Sequence, residues 1–338
     1  GDAGGRAGPA AEELREALRD PELTPPATGK SLRDYQEEGV RWMRQRYASG
    51  RSVILGDEMG LGKTAQSCCM LHWLSTLPGA GGPYLIVAPL STVPHWKREV
   101  AVWTRLYALV YHGHKKAREA AVRWEWATEE GAERGPGRGG KWGAPPDTLS
   151  RPRFDVCITT YEMLTSCGEL FKKVPRWDYI IIDEAHRLKN REAQALKAVR
   201  ELNAPHKLLL TGTPLQNNVS ELWSMLNLVD AARFRNHDAF LDQYGDIQSA
   251  EQVTALVESL RTYLLRRTKE DVNLGVVPME ETLITVEITK YQKTIYRALL
   301  EQNRTLLVGN SKYAPSFNNL QMQLRHCCNH PFLIKGIV

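Results

Sequence analysis

Two polar clusters in this sequence have the composition that a nucleoside triphosphate and its magnesium ion require. The first, Asp57-Glu58-Met59-Gly60-Leu61-Gly62-Lys63-Thr64, follows the apolar run Ser52-Val-Ile-Leu. Glycines let main-chain N–H groups approach phosphate oxygens, and the N-terminus of a following helix favours negative charge. Lys63 is expected to reach the terminal phosphates and Thr64 to ligate magnesium. The second cluster, Asp183-Glu184-Ala185-His186, follows Tyr179-Ile-Ile-Ile. Asp183 is expected to hold magnesium through water, and Glu184 to orient and deprotonate the water that attacks the γ-phosphate. Capping of the next helix is the plainer role for these carboxylates, but two of them beside an apolar strand end are costly without a cation. His186 and the loop Thr211-Gly212-Thr213 are the natural sensors of the γ-phosphate; a hydrogen-bonded packing histidine is the alternative for His186. The two clusters in this order predict a motor-type ATPase that uses ATP and Mg2+.

These residues need elements to hold them. Short runs at 52–55, 84–88, 156–159, 179–182 and 207–210 are rich in Val, Ile and Leu without alternation, as strands buried on both faces are. Longer helical segments separate them, so the fold class is α/β with a parallel sheet flanked by helices. Gly62-Lys-Thr, Pro89-Leu-Ser-Thr, Thr159-Thr-Tyr, Asp183-Glu-Ala-His and Thr211-Gly-Thr-Pro each sit at or just beyond a strand's carboxyl end. Open α/β sheets build ligand sites there.

Residues 1–30 are rich in Gly, Ala and Pro and read as a flexible segment with one short helix, Ala11 to Arg19. A first domain is expected over 31–273. Asp34 with Glu37 gives a capping-box signal for its first helix, which carries Val40, Met43 and Tyr47 on one face. Residues 131–153 look like a Gly-rich surface insertion whose basic residues are solvated or touch nucleic acid. After 218 the chain turns helical, with Leu222, Met225, Leu226 and Val229 at helical spacing. A linker over 274–281 leads to Thr282–Ile288, which alternates as a strand. Thr289 with Gln292 then caps a helix carrying Tyr291, Ile295 and Leu299. This restart reads as the opening of a second lobe over 282–338, expected to be truncated at Val338.

Composition sets outer limits. The chain has 338 residues, 42% hydrophobic and 25% charged, enough for one full domain and part or all of a second. No apolar stretch approaches a bilayer-spanning length and Gly1-Asp-Ala-Gly-Gly is no signal core, so no membrane partner is expected. The six cysteines include pairs at Cys68-Cys69 and Cys327-Cys328 without recurring spacing. They read as reduced thiols used as small hydrophobes, which fits a cytosolic or nuclear compartment. The net charge of +5 hints at a polyanionic partner and proves nothing alone.

Several blocks together carry a family resemblance. Leu32-Arg-Asp-Tyr-Gln-Glu-Glu-Gly-Val-Arg-Trp42, Asp57 to Thr64, Leu85-Ile-Val-Ala-Pro-Leu-Ser-Thr92, Asp183 to Asn190 and Leu210-Thr-Gly-Thr-Pro-Leu-Gln-Asn217 resemble the ordered motifs of SWI/SNF-type helicase-superfamily-two ATPases. Leu265-Arg-Arg-Thr-Lys-Glu-Asp-Val272 and Leu324-Arg-His-Cys-Cys-Asn-His-Pro-Phe-Leu333 are similar to features particular to that family. Ala88-Pro-Leu-Ser-Thr, Tyr111-His-Gly and Asp183 to Asn190 most resemble the chromodomain–helicase–DNA-binding remodellers.

The resemblance implies a first RecA-like lobe, a helical insertion and the start of a second such lobe. It implies that Asp57, where the general phosphate-loop pattern has glycine, is ordinary for the family. It implies that Gln36 reads the adenine edge, since an amide can pair with both the amino group and a ring nitrogen of adenine. Ser91, Thr92, His95 and Lys97, then Thr159, Thr160 and Tyr161, are implied to follow one DNA strand's phosphates, with hydroxyls and cations suited to sequence-independent contact. Trp96 lies in that stretch, with packing as its plainer role. Arg187 and Lys189 either assist or form a solvated basic face, and Arg266, Arg267 and Lys269 are candidates to brace the two lobes.

The implied function is an ATP-dependent double-stranded-DNA translocase that remodels nucleosomes in the nucleus, with histones and complex subunits as partners. A translocase on a non-nucleosomal target and a nucleotide-gated DNA-binding scaffold are the alternatives; intact Lys63, Asp183 and Glu184 argue against the scaffold. Because the family's transition-state arginines come from late second-lobe motifs, these residues alone are expected to hydrolyse little ATP.

Overall fold

The computed structural model describes residues 11–19, 29–126, 152–188, 193–212, 219–244, 256, 260–272, 281–302 and 317–334. The chain divides into two compact units, Gly1–Leu274 and Gly275–Val338.

The first unit is built on strands β1 Val53–Leu55, β2 Tyr84–Val87, β3 Ala108–Tyr111, β4 Val156–Thr159, β5 Tyr179–Ile182, β6 Lys207–Leu210 and β7 Leu264–Leu265. They form one sheet in the order β3-β4-β2-β5-β6-β1-β7, and every ladder is parallel. Ile182 pairs with Leu209 and Leu55 with Leu210, so β5, β6 and β1 end almost level. The segments that follow them therefore leave the sheet at one edge. Strands β3 and β7 were not legible in the pattern. Most of β3 is only half-buried at the sheet's margin, and β7 has two residues.

Alternate residues of each central strand serve opposite cores. Leu85, Val87, Ile180, Ile182 and Leu209 face one core, closed by the helices Tyr161–Ser166, Ala193–Glu201 and Val219–Val229. Tyr84, Ile86, Ile181, Leu208 and Leu210 face the other. That core is closed by α1 Ala11–Ala17, α2 Asp34–Ala48, α3 Lys63–Thr76 and α4 Val93–Trp103. Burial on both faces explains why the strands read as unbroken apolar runs. The helix Val219–Val229 buries Leu222, Met225 and Leu226, as its spacing requires.

Three expectations change. The N-terminal residues are not all a free tail, because Leu14, Ala17 and Leu18 pack on the α2–α3 core. Helix α2 begins at Asp34 instead of being capped by it. Arg33 precedes it in extended conformation and donates its N–H to Gln36 Oε1 at 3.0 Å, while Glu37 pairs with Arg41 one turn on. In the second unit, Thr282–Ile288 forms no strand: residues 281–289 have no regular structure. Leu283 is 91% exposed and Val286 78%, because no neighbouring strand among the described residues supplies a ladder.

The Thr289–Gln292 signal does form. Thr289 N–H donates to Gln292 Oε1 at 2.8 Å and Gln292 N–H to Thr289 Oγ1 at 3.2 Å. The helix Lys290–Gln302 packs Ile295 and Leu299 with Cys327 and Ile334, while Tyr291 stays exposed. All six cysteines are free, four of them buried. Among the described residues no helix is long and apolar enough to cross a membrane. Residues 131–151 of the expected insertion and 274–280 of the expected linker lie outside the described residues.

Candidate functional site

Strand β1 runs into the phosphate loop, and α3 starts at Lys63 with Gly62 as its N-terminal cap at φ +76°. That positive φ favours glycine, and a Cβ on Gly62 would also meet Gln36 Nε2 at 2.3 Å and push the amide from the loop. Gln36 Nε2 donates to Leu61 O at 3.1 Å, and its Oε1 already accepts Arg33 N–H. One end of the amide thus ties α2 to the loop and the other caps the start of α2 itself. Leu61 is fully buried and Met59 largely exposed. Lys63 Nζ folds back on the loop, donating to Asp57 O at 2.6 Å and Glu58 O at 3.4 Å. Burial pulls its pKa down, opposed by the charges of Asp57, Glu184, Asp183 and Glu58. A partly desolvated lysine whose hydrogen bonds go to two main-chain carbonyls is placed to exchange them for polyphosphate oxygens. Thr64 sits half-buried in the first turn of α3.

Asp57 does not face that charge. Its carboxylate is fully buried and paired with Arg267. Arg267 also donates to Tyr35 O and, at 3.1 Å, to Gln66 Oε1. Lys269 N–H and Nζ hold the Glu58 carboxylate at 2.8 and 3.3 Å, which keeps its pKa below the usual range. The block after β7 therefore clasps the phosphate loop within the first unit. Gly39 in α2 completes the packing: a Cβ there would meet Gln66 Oε1 at 2.0 Å. Beside Gln36, an open polar recess of about 460 Å³ is lined by Arg33, Asp34, Tyr35, Glu38 and Arg267 among others.

At the end of β5, the Asp183 side chain turns towards α4. Its Oδ2 accepts from Trp96 Nε1 at 2.8 Å and from Thr92 Oγ1 at 3.3 Å. It does not cap the short 3-10 turn Ala185–Leu188. Glu184 has φ +52°, a left-handed conformation that only glycine adopts freely. The Tyr161 hydroxyl donates to Asp183 O, and lies 3.3 Å from Glu184 O; Arg187 N–H donates to Glu184 O at 2.9 Å. These bonds fix a strained residue. His186 Nδ1 lies 3.3 Å from Glu184 Oε2 and 3.5 Å from Thr211 Oγ1. Thr211 is buried at the end of β6. A Cβ on Gly212 would lie 3.8 Å from Lys63 Nζ. Lys63, Thr211, Gly212, His186 and Glu184 thus form one continuous edge. Thr213 and Lys189 lie outside the described residues.

The donor set fits a magnesium–triphosphate. The buried Glu184 Oε2 makes no hydrogen bond and has only the His186 ring nitrogen near it, at 3.3 Å, which leaves it able to take water or a cation. Asp183 Oδ2 takes both side-chain hydrogen bonds, so Oδ1 is the atom that would serve a metal-bound water, with the Thr64 hydroxyl as a direct ligand. Among the described residues no three His, Cys, Asp or Glu gather as a metal cage. Magnesium there would take its remaining ligands from phosphate and water, as it commonly does with nucleotides.

The candidate DNA-facing residues divide. Ser91, His95 and Lys97 are exposed around the first turns of α4. Thr159, Thr160 and Tyr161 correct the expectation for their side chains, being 0%, 1% and 4% exposed. The Thr159 hydroxyl donates to Tyr111 O, and that of Thr160 caps the next helix by accepting Met163 N–H. Thr92 turns to Pro89 O and Asp183. Trp96 packs, as its plainer role had it, but its N–H also reaches Asp183. No local pattern marks that bond, because Trp96 sits in α4 and Asp183 beyond β5, 87 residues on.

Comparison with known proteins places these features in a family. A family model described as the SNF2-related domain matches residues 35–333. Chromodomain-helicase-DNA-binding protein 7 of Homo sapiens is 44% identical over 310 residues, 90% of this chain and 10% of that protein. Chromodomain-helicase-DNA-binding protein 6 of Homo sapiens is 44% identical over 309 residues, 90% of this chain and 11% of that protein. The chain therefore spans about a tenth of these curated relatives. Among solved structures, the Sulfolobus solfataricus SWI2/SNF2 ATPase core in complex with dsDNA is 26% identical with a TM-score of 0.56. The match covers 93% of this chain and 62% of that one.

Proposed function

This chain belongs to the SNF2-related domain family, and from that premise we propose that it supplies the ATP-hydrolysing part of a double-stranded-DNA translocase acting on nucleosomes. One observation carries the reading. The parallel order of β5, β6 and β1 sets Lys63, Thr211, His186 and the Asp183–Glu184 pair along a single sheet edge. Adenine would occupy the recess beside Gln36, whose amide would exchange Arg33 N–H and Leu61 O for the base. Lys63 would leave the loop carbonyls for the β- and γ-phosphates. Magnesium, when bound, supplies charge neutralisation between those phosphates. Glu184 takes a proton from the attacking water, and His186 links Glu184 to Thr211 so that the γ-phosphate is felt at both.

Ser91, His95 and Lys97 form the candidate DNA surface. The name of the solved relative includes dsDNA, and those of the curated relatives include DNA binding; nucleosomes, nuclear location and complex subunits extend the same reading. The domain division 31–273 and 282–338 belongs to it too. Turnover by the 338 residues alone is expected to be low, since a transition-state arginine is worth on the order of 10³ to 10⁵ in rate and the family draws it from late second-lobe motifs. The test is ATP turnover of the full-length protein with and without duplex DNA, wild type beside Glu184→Gln. DNA-stimulated turnover that the substitution abolishes is the expected result; turnover indifferent to both would overturn the reading.

A further inference from the structure

We propose that Trp96 and Tyr161 are positioning residues that set the geometry of Asp183 and Glu184, Trp96 from beneath the candidate DNA-facing turn of α4 and Tyr161 from the end of β4; this rests on the functional reading above. On α4, Ser91, His95 and Lys97 are exposed while Trp96 is fully buried. The same helical turns therefore carry an outward cationic surface and an inward indole. That indole N–H reaches Asp183 Oδ2 directly, at 2.8 Å, with Thr92 beside it at 3.3 Å. No side chain intervenes between the exposed turn and the carboxylate proposed to serve the metal.

The second path is as short. Tyr161 opens the helix Tyr161–Ser166 just beyond β4. Its hydroxyl holds Asp183 O and approaches Glu184 O. Glu184 is the one described residue other than glycine with positive φ, so its carboxylate direction depends on what restrains that backbone. A small displacement of the exposed α4 turn would shift the hydrogen bond to the Asp183 side chain, while Tyr161 holds the Asp183–Glu184 main chain from the end of β4. A charge-assisted bond such as that from Trp96 orients a metal-bearing carboxylate and tunes its hold on the ion. Two buried polar groups, from α4 and from the helix after β4, thus converge on Asp183 and Glu184.

The experiment uses the full-length protein as wild type, Trp96→Phe and Tyr161→Phe. ATP turnover is measured at saturating duplex DNA, with duplex-DNA Kd and a Mg2+ titration at fixed ATP. We expect DNA-stimulated kcat to fall roughly ten- to hundred-fold in each variant, as removal of a bond to a charged or strained group implies. ATP KM and DNA Kd should stay within about threefold, and the Mg2+ needed by Trp96→Phe should rise roughly tenfold. Tyr161→Phe loses a single oxygen and keeps its ring packing, so it carries the test if Trp96→Phe folds poorly. Unchanged kcat in Tyr161→Phe, or a fall in kcat matched by an equal loss of DNA affinity, would overturn the inference while wild-type stimulation upheld the functional reading. Wild-type turnover indifferent to DNA would overturn both.

Discussion

Asp57 and Arg267, 210 residues apart in sequence, form a two-pronged ion pair, with Nε to Oδ1 at 3.0 Å and Nη2 to Oδ2 at 2.5 Å. The aspartate is fully buried and the arginine side chain 12% exposed. The aspartate that stands where general phosphate loops have glycine is thus an anchor for the loop's outer wall, and Arg267 is its reason. The fork geometry matters, since a lysine offers a point charge that cannot bridge both oxygens along a plane.

Removing Arg267 leaves a buried carboxylate without its cation, a change that typically costs about 3–5 kcal/mol. Arg267→Met is therefore expected to destabilise the protein by roughly that amount in urea unfolding and to weaken ATP binding. Arg267→Lys should recover only part of either. A stability within about 0.5 kcal/mol of wild type would show that water or Lys269 takes over the pair.

Lys63 and Glu184 act at different moments. Lys63 pairs with phosphate charge already present in the ground state, whereas Glu184 acts on the attacking water. Lys63→Ala should weaken ATP binding. Glu184→Gln should preserve binding and block hydrolysis. Nucleotide titration beside turnover assays separates the two, and wild-type turnover by the Gln variant would remove Glu184 as the base.

The sequence made the site's inner edge legible because its chemistry is local. Lys63 follows its glycines directly, and Asp183 and Glu184 follow an apolar strand, so spacing alone assigns them a place at a strand's end. The five central strands were legible for a related reason, since burial on both faces leaves runs rich in Val, Ile and Leu without alternation. What escaped is contact between distant segments. Nothing near Asp57 points to Arg267, and nothing near Trp96 points to Asp183; the sheet order creates both. Exposure failed in the same way for Thr159, Thr160 and Tyr161, whose hydroxyls suit phosphates equally well on paper but are turned inward by β4 and its following helix. The alternation of Thr282–Ile288 has the period of a strand, but period does not supply a neighbour to pair with.

DNA contact through Ser91, His95 and Lys97 should be insensitive to sequence and sensitive to salt, because donors aimed at phosphates carry no base information. Binding of the full-length protein to duplexes of unrelated sequence should fall in parallel as salt rises. Lys97→Ala should lower the slope of log K against log salt by about 1. A sequence-selective profile that salt leaves unchanged would place the DNA elsewhere or exclude it.

A histidine away from the site gives a stability prediction with a definite sign. His206 precedes β6, with its ring centroid 4.2 Å from that of Tyr47 and 6.4 Å from that of Tyr179. Burial pulls its pKa down to about 4, and Arg176 and Lys207 add to that, against a hydrogen bond with the Arg51 backbone. In the unfolded chain the ring titrates near 6.5. Between those values the unfolded state binds the extra proton, so stability falls as pH drops from about 6.5 towards about 4 and loses nothing further below. From pH 7 to pH 5 the linkage amounts to about 2 kcal/mol, in a range where most carboxylates remain charged. His206→Phe keeps an aromatic ring between the tyrosines and removes the titration. Urea unfolding at pH 7 and pH 5 should therefore show a smaller loss in the variant than in wild type. Equal losses would mean that the charged ring finds water or an acceptor within the fold, and that the tyrosine cage is more open than its packing implies.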